Sequence, residues 1–557
     1  MAEPLHSRRW TTLLPGWRAL RRVVQLAFMV LILWLFRQTA YHDSNIIQQP
    51  VNVFFRLDPL AAASAMLAAR TWIETFLPAV AVLLLTLIFG RFFCGWVCPV
   101  GTALDYVHVL LRPVLRFTQR WGNRYAAACR PVRYGLLVIV LVAALMAWPM
   151  VGYLDPFALW MRFWTFVVDP SWYKSTTAVV MHTDRLPDWL QGHVQRTYGF
   201  MSDHHIIPFG PTTYHMARVT LGIVGAIVAL ELVARRFWCR YLCPLGGMLG
   251  LTARWSLLRR LPVRNCAGCR SKTDCTHMCR MGSFDAQGRF LPEACNLCMD
   301  CLAKCSDHVA RFKVRPVAVA VSTPVGLSRR GLLTSLAAGA AIPLAARIAG
   351  AASNNEPPTR LLRPPGAAGE NDFLNRCIRC GECMKVCITN GLQPAGLQGG
   401  AAGLFSPHLM PRTGYCEYEC TLCGQVCPTG AIPDLPQLVK QKTVIGIAAI
   451  NHDRCLPWAK QEECLVCQEH CPLPTKAIKS RLKIVTLPDG RTKRLDLPTV
   501  DHNLCIGCGI CENKCPLDGE SAILVYRKEA VPKRQHHIQL HQRPHGHGHG
   551  HGHGPMS

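Results

Sequence analysis

Cys505-Ile-Gly-Cys508-Gly-Ile-Cys511-Glu-Asn-Lys-Cys515-Pro516 is the stretch on which the reading of this chain turns. Cysteines at intervals of two, two and three residues let one loop present several thiolates to a single inorganic core, which is the ligation pattern of a 4Fe-4S cluster. Soft sulfur donors match iron, and a zinc site gives no reason for a third and fourth cysteine so close to the first pair. The same spacing recurs at Cys295, Cys298, Cys301 and Cys305 and at Cys377, Cys380, Cys383 and Cys387. Three stretched sets accompany them: Cys266, Cys269, Cys275 and Cys279; Cys416, Cys420, Cys423 and Cys427; and Cys455, Cys464, Cys467 and Cys471. An insertion after the first or second cysteine leaves the later ligands in register.

These sets use 24 of the 29 cysteines and predict six 4Fe-4S clusters, with those cysteines as iron ligands. Such clustering excludes the disulfide framework that many cysteines in a small secreted domain would signal. Where two clusters share a fold, the fourth cysteine of each run ligates the other cluster. That rule assigns Cys279 to Cys295, Cys298 and Cys301, and Cys305 to Cys266, Cys269 and Cys275. For the four later sets, adjacent and nested pairings both stay open.

Half of the 557 residues are apolar. Apolar stretches at residues 23–36, 72–90, 134–153 and 215–234 approach the ~20 residues a helical span requires. Lys plus Arg number 5 in residues 1–22, 3 in 37–71, 7 in 91–133, 4 in 153–215 and 7 in 235–264. By the positive-inside rule this alternation puts both ends of the unit in the cytoplasm. Residues 154–214 are then external, with Trp160, Trp164, Trp172 and Trp189 along the membrane interface. A net charge of +27 would also suit nucleic acid. The basic residues lie beside apolar segments, however, and no nucleic-acid motif accompanies them. The expected fold class is a membrane α-helical unit of four spans plus a fifth, carrying α+β modules like those of bacterial ferredoxins.

The fifth span is expected from Ser328-Arg-Arg-Gly-Leu-Leu333 and the Ala- and Gly-rich stretch to Ala346, which resemble a twin-arginine export signal within the chain. The alternative is an interfacial helix. The expected organisation is a four-span unit over 1–255, a cytoplasmic two-cluster part over 256–315, the signal-like anchor over 316–352, a linker over 353–374, a four-cluster part over 375–530 and a His-rich tail over 531–557. The tail ends in alternating His and Gly from His545 to His553, a candidate for divalent copper, nickel or zinc, or a solubilising segment.

Two further motifs follow the second and fourth apolar stretches: Cys94-Gly-Trp-Val-Cys98-Pro99 and Cys239-Arg-Tyr-Leu-Cys243-Pro244. Their matched placement implies a duplication. Cys94, Cys98, Cys239 and Cys243 are candidates for a redox pair, a metal site or part of a quinol region, or else are thiols packed at helix ends. Cys129 stands alone and reads as inert. Glu231 is a proton-handling candidate or the partner of Arg235 four residues on. Asp105 and His108 are further candidates of that kind.

The two Cys-x3-Cys-Pro motifs, the four apolar stretches and the cluster sets after them resemble NapH, a membrane quinol dehydrogenase component, over about residues 15–315. The twin-arginine segment with its four following sets resembles NapG, an exported polyferredoxin, over about 325–528, and the MauN and MauM pair is comparably similar. The resemblance implies two usually separate proteins fused in one chain of the bacterial cytoplasmic membrane, with the first ferredoxin part cytoplasmic and the second periplasmic. It implies electron flow from a membrane quinol through the clusters to a periplasmic reductase or cytochrome, a nitrate-reductase-like system being the leading case. The alternatives are a reductive copper-maturation factor and electron uptake from a methylamine-oxidising dehydrogenase. No molybdenum site, Cys-x-x-Cys-His haem site or flavin fingerprint is present in the sequence, so terminal chemistry is expected in another protein.

Overall fold

In this computed structural model, residues 16–531 are described except 42–43, 112, 114–128, 184–186, 204–205, 208–209, 262–278, 286–288, 304, 306–309, 315–325, 353–358, 368 and 487–491. Helix α1 (Trp17–Gln38) opens the described chain. Asp58 then caps α2 (Pro59–Ala69), accepting hydrogen bonds from the N–H groups of Leu60 (2.8 Å) and Ala61 (3.2 Å), with Pro59 preset for the first helical position. The apolar α3 (Leu77–Phe89) leads into Arg91 and the first thiol motif, and Pro99 starts α4 (Pro99–Leu110).

The second half repeats this plan. After α5 (Val132–Leu145), Asp155 caps α6 (Pro156–Phe163) through Ala158 N–H at 2.8 Å. The apolar α7 (Ala217–Val233) leads into Arg236 and the second thiol motif, and Pro244 starts α8 (Pro244–Ala253). The copies interlock, because α8 packs on α2 and α3 of the first copy as well as on α5. Leu60, Leu245 and Leu249 are fully buried in this shared core, each stabilising it by about 2 kcal/mol.

The expectation of four spans and a fifth is corrected here. Among the described residues only α1 is both long and apolar enough to cross a membrane. Helices α3, α5 and α7 have 13, 14 and 17 residues, which at 1.5 Å per residue reach about 20 to 25 Å against a hydrocarbon core of about 30 Å. The sequence windows had joined these helices to their flanking turns. The 72–90 stretch includes a 3-10 turn at Glu74–Phe76, and the 134–153 stretch breaks at Ala147, whose φ is 61°. The mid-chain segment does form a helix, α9 (Arg329–Ala352), with Pro343 inside it, but over its described residues it does not meet that standard.

Helix α9 lies along α5, with Gly135 facing Ser335 and Gly339 facing Val142, so the two run parallel. The N-terminal end of α5 adjoins the thiol motifs, since Arg133 touches Gly247. Its C-terminal end leads to Pro149 and Gly152, which meet the 375–528 part. Residues 279–285 and 289–303 sit at the thiol-motif end, where Trp96 Nε1 donates to Leu297 O (3.1 Å) and Arg91 to Glu293 O (3.1 Å). The two cysteine-rich parts therefore occupy opposite ends of the helical unit.

Among the described residues four antiparallel two-stranded sheets frame those parts. Strands β1 (Leu258–Leu261) and β2 (Arg311–Val314) flank the first, and β3 (Leu392–Pro394) and β4 (Pro407–Leu409) the start of the second. Strand β5 (Ile447–Ile450) pairs with β8 (Ile523–Tyr526) around the hairpin of β6 (Ile478–Thr486) and β7 (Thr492–Val500).

Candidate cluster-binding site

In each regular cysteine set the backbone turns left-handed on both sides of the second cysteine. Arg379 (φ 56°) and Gly381 (95°) flank Cys380, Gly507 (70°) and Gly509 (85°) flank Cys508, and Leu297 (52°) and Met299 (59°) flank Cys298. Alternating right- and left-handed residues aim successive N–H groups into one concavity that suits an anion. Glycine adopts this freely at Gly507 and Gly509. Arg379, Leu297 and Met299 adopt it against the Cβ penalty, so packing must enforce it there.

The structure settles which thiols converge. Cys377, Cys380, Cys383 and Cys427 line one cavity of about 350 Å³. Cys387, Cys416, Cys420 and Cys423 line a second of about 430 Å³, and Cys455, Cys464, Cys467 and Cys515 a third of about 390 Å³. Cys471 completes the set of Cys505, Cys508 and Cys511, its sulfur acting on those of Cys505 and Cys508. Pairing in the second part is thus adjacent, each run lending its fourth cysteine to its neighbour. At the other end Cys279 lies with Cys295, Cys298 and Cys301. Cys266, Cys269 and Cys275, the expected partners of Cys305, lie outside the described residues, as does the His-rich tail.

The donor chemistry fits an iron-sulfur cluster at each complete set. Burial, then the neighbouring sulfurs, pushes the Cys383, Cys423, Cys511 and Cys295 thiols well up. Such groups ionise together only when a strongly cationic centre sits between them. Backbone N–H groups already point at several sulfurs, including Ser283 to Cys279 (3.3 Å), Ala448 to Cys505 (3.4 Å) and Ile432 to Cys427 (3.5 Å). Hydrogen bonds of this kind stabilise thiolates and tune the potential of what they hold.

The four later sites form a row. Cys383 neighbours Cys423, Cys416 neighbours Cys508, and Cys511 neighbours Cys467. The row begins at the helical unit, where Ile378 and Cys380 share a core with Val151 and Phe157. Arg379, almost wholly buried, anchors that contact by donating to Pro149 O and Ala402 O and by covering the Tyr153 ring at 5.0 Å. Asp169 adds a second anchor by pairing with Arg37 and Lys385.

Two 4Fe-4S binding domain families match the chain, one at residues 71–118, 217–263 and 423–445 and the other at 498–518. The methylamine utilization ferredoxin-type protein MauM of Methylorubrum extorquens is 36% identical over 216 residues, 38% of this chain and 93% of the relative. The chain belongs to the MauM and NapG ferredoxin-type family. MauM of Paracoccus denitrificans is 36% identical over 174 residues, 30% of this chain and 73% of that protein. The ferredoxin-type protein NapG of Escherichia coli is 33% identical over 180 residues, 32% of this chain and 76% of that protein. No solved structure matches the chain. As a member of the MauM and NapG family the chain is a ferredoxin-type electron-transfer protein with 4Fe-4S domains.

The proton-handling candidates fall elsewhere. The buried carboxylate of Glu231 accepts from Arg236 N–H (2.7 Å) and faces His108 Nδ1 at 3.3 Å. Asp105 meets Arg236 and Arg280, each at 2.8 Å, and Arg21 at 3.6 Å. Burial works to raise its carboxyl, but these guanidiniums hold it well below the usual carboxylate range. Arg280 also pairs with Asp300, so this network ties the cysteine loop of residues 295–301 to the helical unit. Sequence reasoning missed it because its members lie up to 279 positions apart, Arg21 and Asp300 marking the extremes.

Proposed function

We propose that this chain carries electrons between the quinone pool and a redox partner outside the cytoplasmic membrane. The row of four converging thiol sets leading away from the helical unit is the observation that carries this reading. Bound at those cysteines, 4Fe-4S clusters would supply one-electron transfer. The protein's own part is to hold the sets in sequence, shield the inner ones and leave the last at an outer end. We read residues 15–315 as the quinol-facing part, on the NapH resemblance of their paired motifs, and α1 as the helix that holds the chain at the membrane. Exposed apolar side chains on α1, among them Val23 and Val30, and on α9, including Leu333 and Leu344, form a surface of the kind a bilayer or a partner covers. The twin-arginine segment at the start of α9 supports export of the second part.

Membranes holding the full chain, treated with a quinol analogue and followed by electron paramagnetic resonance, test the proposal. Reduction of cluster signals by the quinol is expected. Signals that respond to dithionite and not to quinol would remove the quinone pool from the pathway. A second reading, electron uptake from a methylamine-oxidising partner, draws on the extent to which the chain covers MauM. It predicts that a reduced periplasmic donor fills the Cys455 end first.

A further inference from the structure

The duplication brings the two Cys-x3-Cys-Pro motifs together. Arg91-Phe-Phe-Cys94-Gly-Trp-Val-Cys98-Pro-Val-Gly101 and Arg236-Phe-Trp-Cys239-Arg-Tyr-Leu-Cys243-Pro-Leu-Gly246 share the pattern Arg-Phe-x-Cys-x3-Cys-Pro-x-Gly. Cys98 and Cys243 each precede a helix, and Cys243 Sγ accepts from Gly246 N–H at 3.3 Å. Every pair among the four sulfurs is close enough to act electrostatically, so four thiols from two distant segments face one another.

Two arginines cross between the copies. Arg236 donates to Cys94 O (3.3 Å) and Gly101 O (2.8 Å) of the first motif, and Arg91 reaches Gly246 of the second while lying 3.8 Å from Cys94 Sγ. Both are essentially unexposed. Arg236 is neutralised by Asp105. Among the described residues no carboxylate forms an ion pair with Arg91, and its Nε has no hydrogen-bond partner. A buried guanidinium without a counter-charge costs several kcal/mol, and the groups beside it are thiols.

We propose that Cys94, Cys98, Cys239 and Cys243 together ligate one further 4Fe-4S cluster, each copy of the duplication supplying two thiolates. On ligation the four S–H groups lose their protons and four S–Fe bonds form, and the net-negative assembly neutralises Arg91. A 4Fe-4S binding domain family matches both segments, yet each carries only two of these cysteines, so neither holds such a cluster alone. Nowhere among the described residues do three Cys, His, Asp or Glu side chains converge tightly enough for a single metal ion. In this the quartet matches the five other cysteine sets of the described residues. It also adjoins one of them: a Cβ on Gly95 would fall 2.1 Å from Asn296 O, in the loop between Cys295 and Cys298.

This inference rests on the iron-sulfur reading above but not on its quinol donor. The test uses the full chain purified anaerobically. Cys94→Ser/Cys98→Ser and Cys239→Ser/Cys243→Ser, made separately, should each lose about four iron and four sulfide per chain, and the combined variant should lose no more than either alone. Additive losses, unchanged iron, or loss of zinc in place of iron would overturn the proposal. Should the variants fold poorly, alkylation of the wild-type protein decides: the four cysteines should resist iodoacetamide until a chelator with oxidant strips iron, and modification without iron loss would refute ligation. Quinol failing to reduce any cluster, with the iron losses intact, would fault the electron donor alone.

Discussion

Cys416 donates its backbone N–H to the carbonyl of Cys508 across 2.8 Å, joining the thiol set of Cys416 to that of Cys508 through the main chain. Sets tied in this way are fixed in order, and each depends on a cysteine from its neighbour's run. Cys427→Ser should therefore abolish the same paramagnetic signal as Cys380→Ser, and leave the one lost in Cys420→Ser. If Cys427→Ser instead matches Cys420→Ser, each run ligates its own cluster.

Asp105 holds three guanidiniums and is only 13% exposed. Asp105→Asn leaves buried charges unpaired and should destabilise the chain by about 3–5 kcal/mol, read as a lower denaturant midpoint. The carboxyl sits below its unfolded value, so its contribution is full above about pH 4 and is lost as pH falls further. The wild type should lose stability across that acidic window, and Asp105→Asn should show less of that loss.

A methyl group at Gly152 would fall 2.1 Å from Ile378 O and 3.0 Å from Arg379 Cβ. Gly152→Ala should force the second cysteine-rich part away from the helical unit, at a cost of about 1–3 kcal/mol. Limited proteolysis around residues 353–368 should quicken while total iron stays constant. Unchanged cleavage would show that the interface yields without cost.

Asp169 binds Arg37 and Lys385 in a pocket where its own side chain is 3% exposed. Asp169→Ala should cost about 3–5 kcal/mol and raise hydrogen exchange in residues 382–393. Rescue by Lys385→Met in the double variant would show that the uncompensated charge, and not lost packing, causes the effect.

Much of the ligand chemistry was legible in the sequence because cysteine spacing is local: Cys377 to Cys383 and Cys505 to Cys511 could be read from a dozen residues. Pairing across runs was not, since Cys427 is 44 positions from its partner Cys383. The apolar runs misled for a related reason. Hydropathy sums over a window, while Ala147 at φ 61° and the turn at Glu74 divide helices that look continuous in composition. Arg91 and Arg236 passed unnoticed among many basic residues, although their equal spacing from Cys94 and Cys239 was there to be seen. Glu231 read equally as a proton-handling group or a partner of Arg235, and sequence spacing could not show that α7 ends at Val233 and turns the Arg236 N–H toward the carboxylate.

The crossed arginines bear on how such a chain can change over generations. A protein built from two copies usually lets one drift while the other keeps the original task. Here Arg91 of one copy lies against Gly246 of the other, and Arg236 lies against Gly101. A substitution that fills either glycine in one copy is felt at the arginine of its twin. Divergence is therefore free in the surfaces each copy shows to the outside and held in common at the seam. Relatives that encode the two copies should gain or lose them as a pair, and a lineage that discards one should also have replaced the arginine left behind.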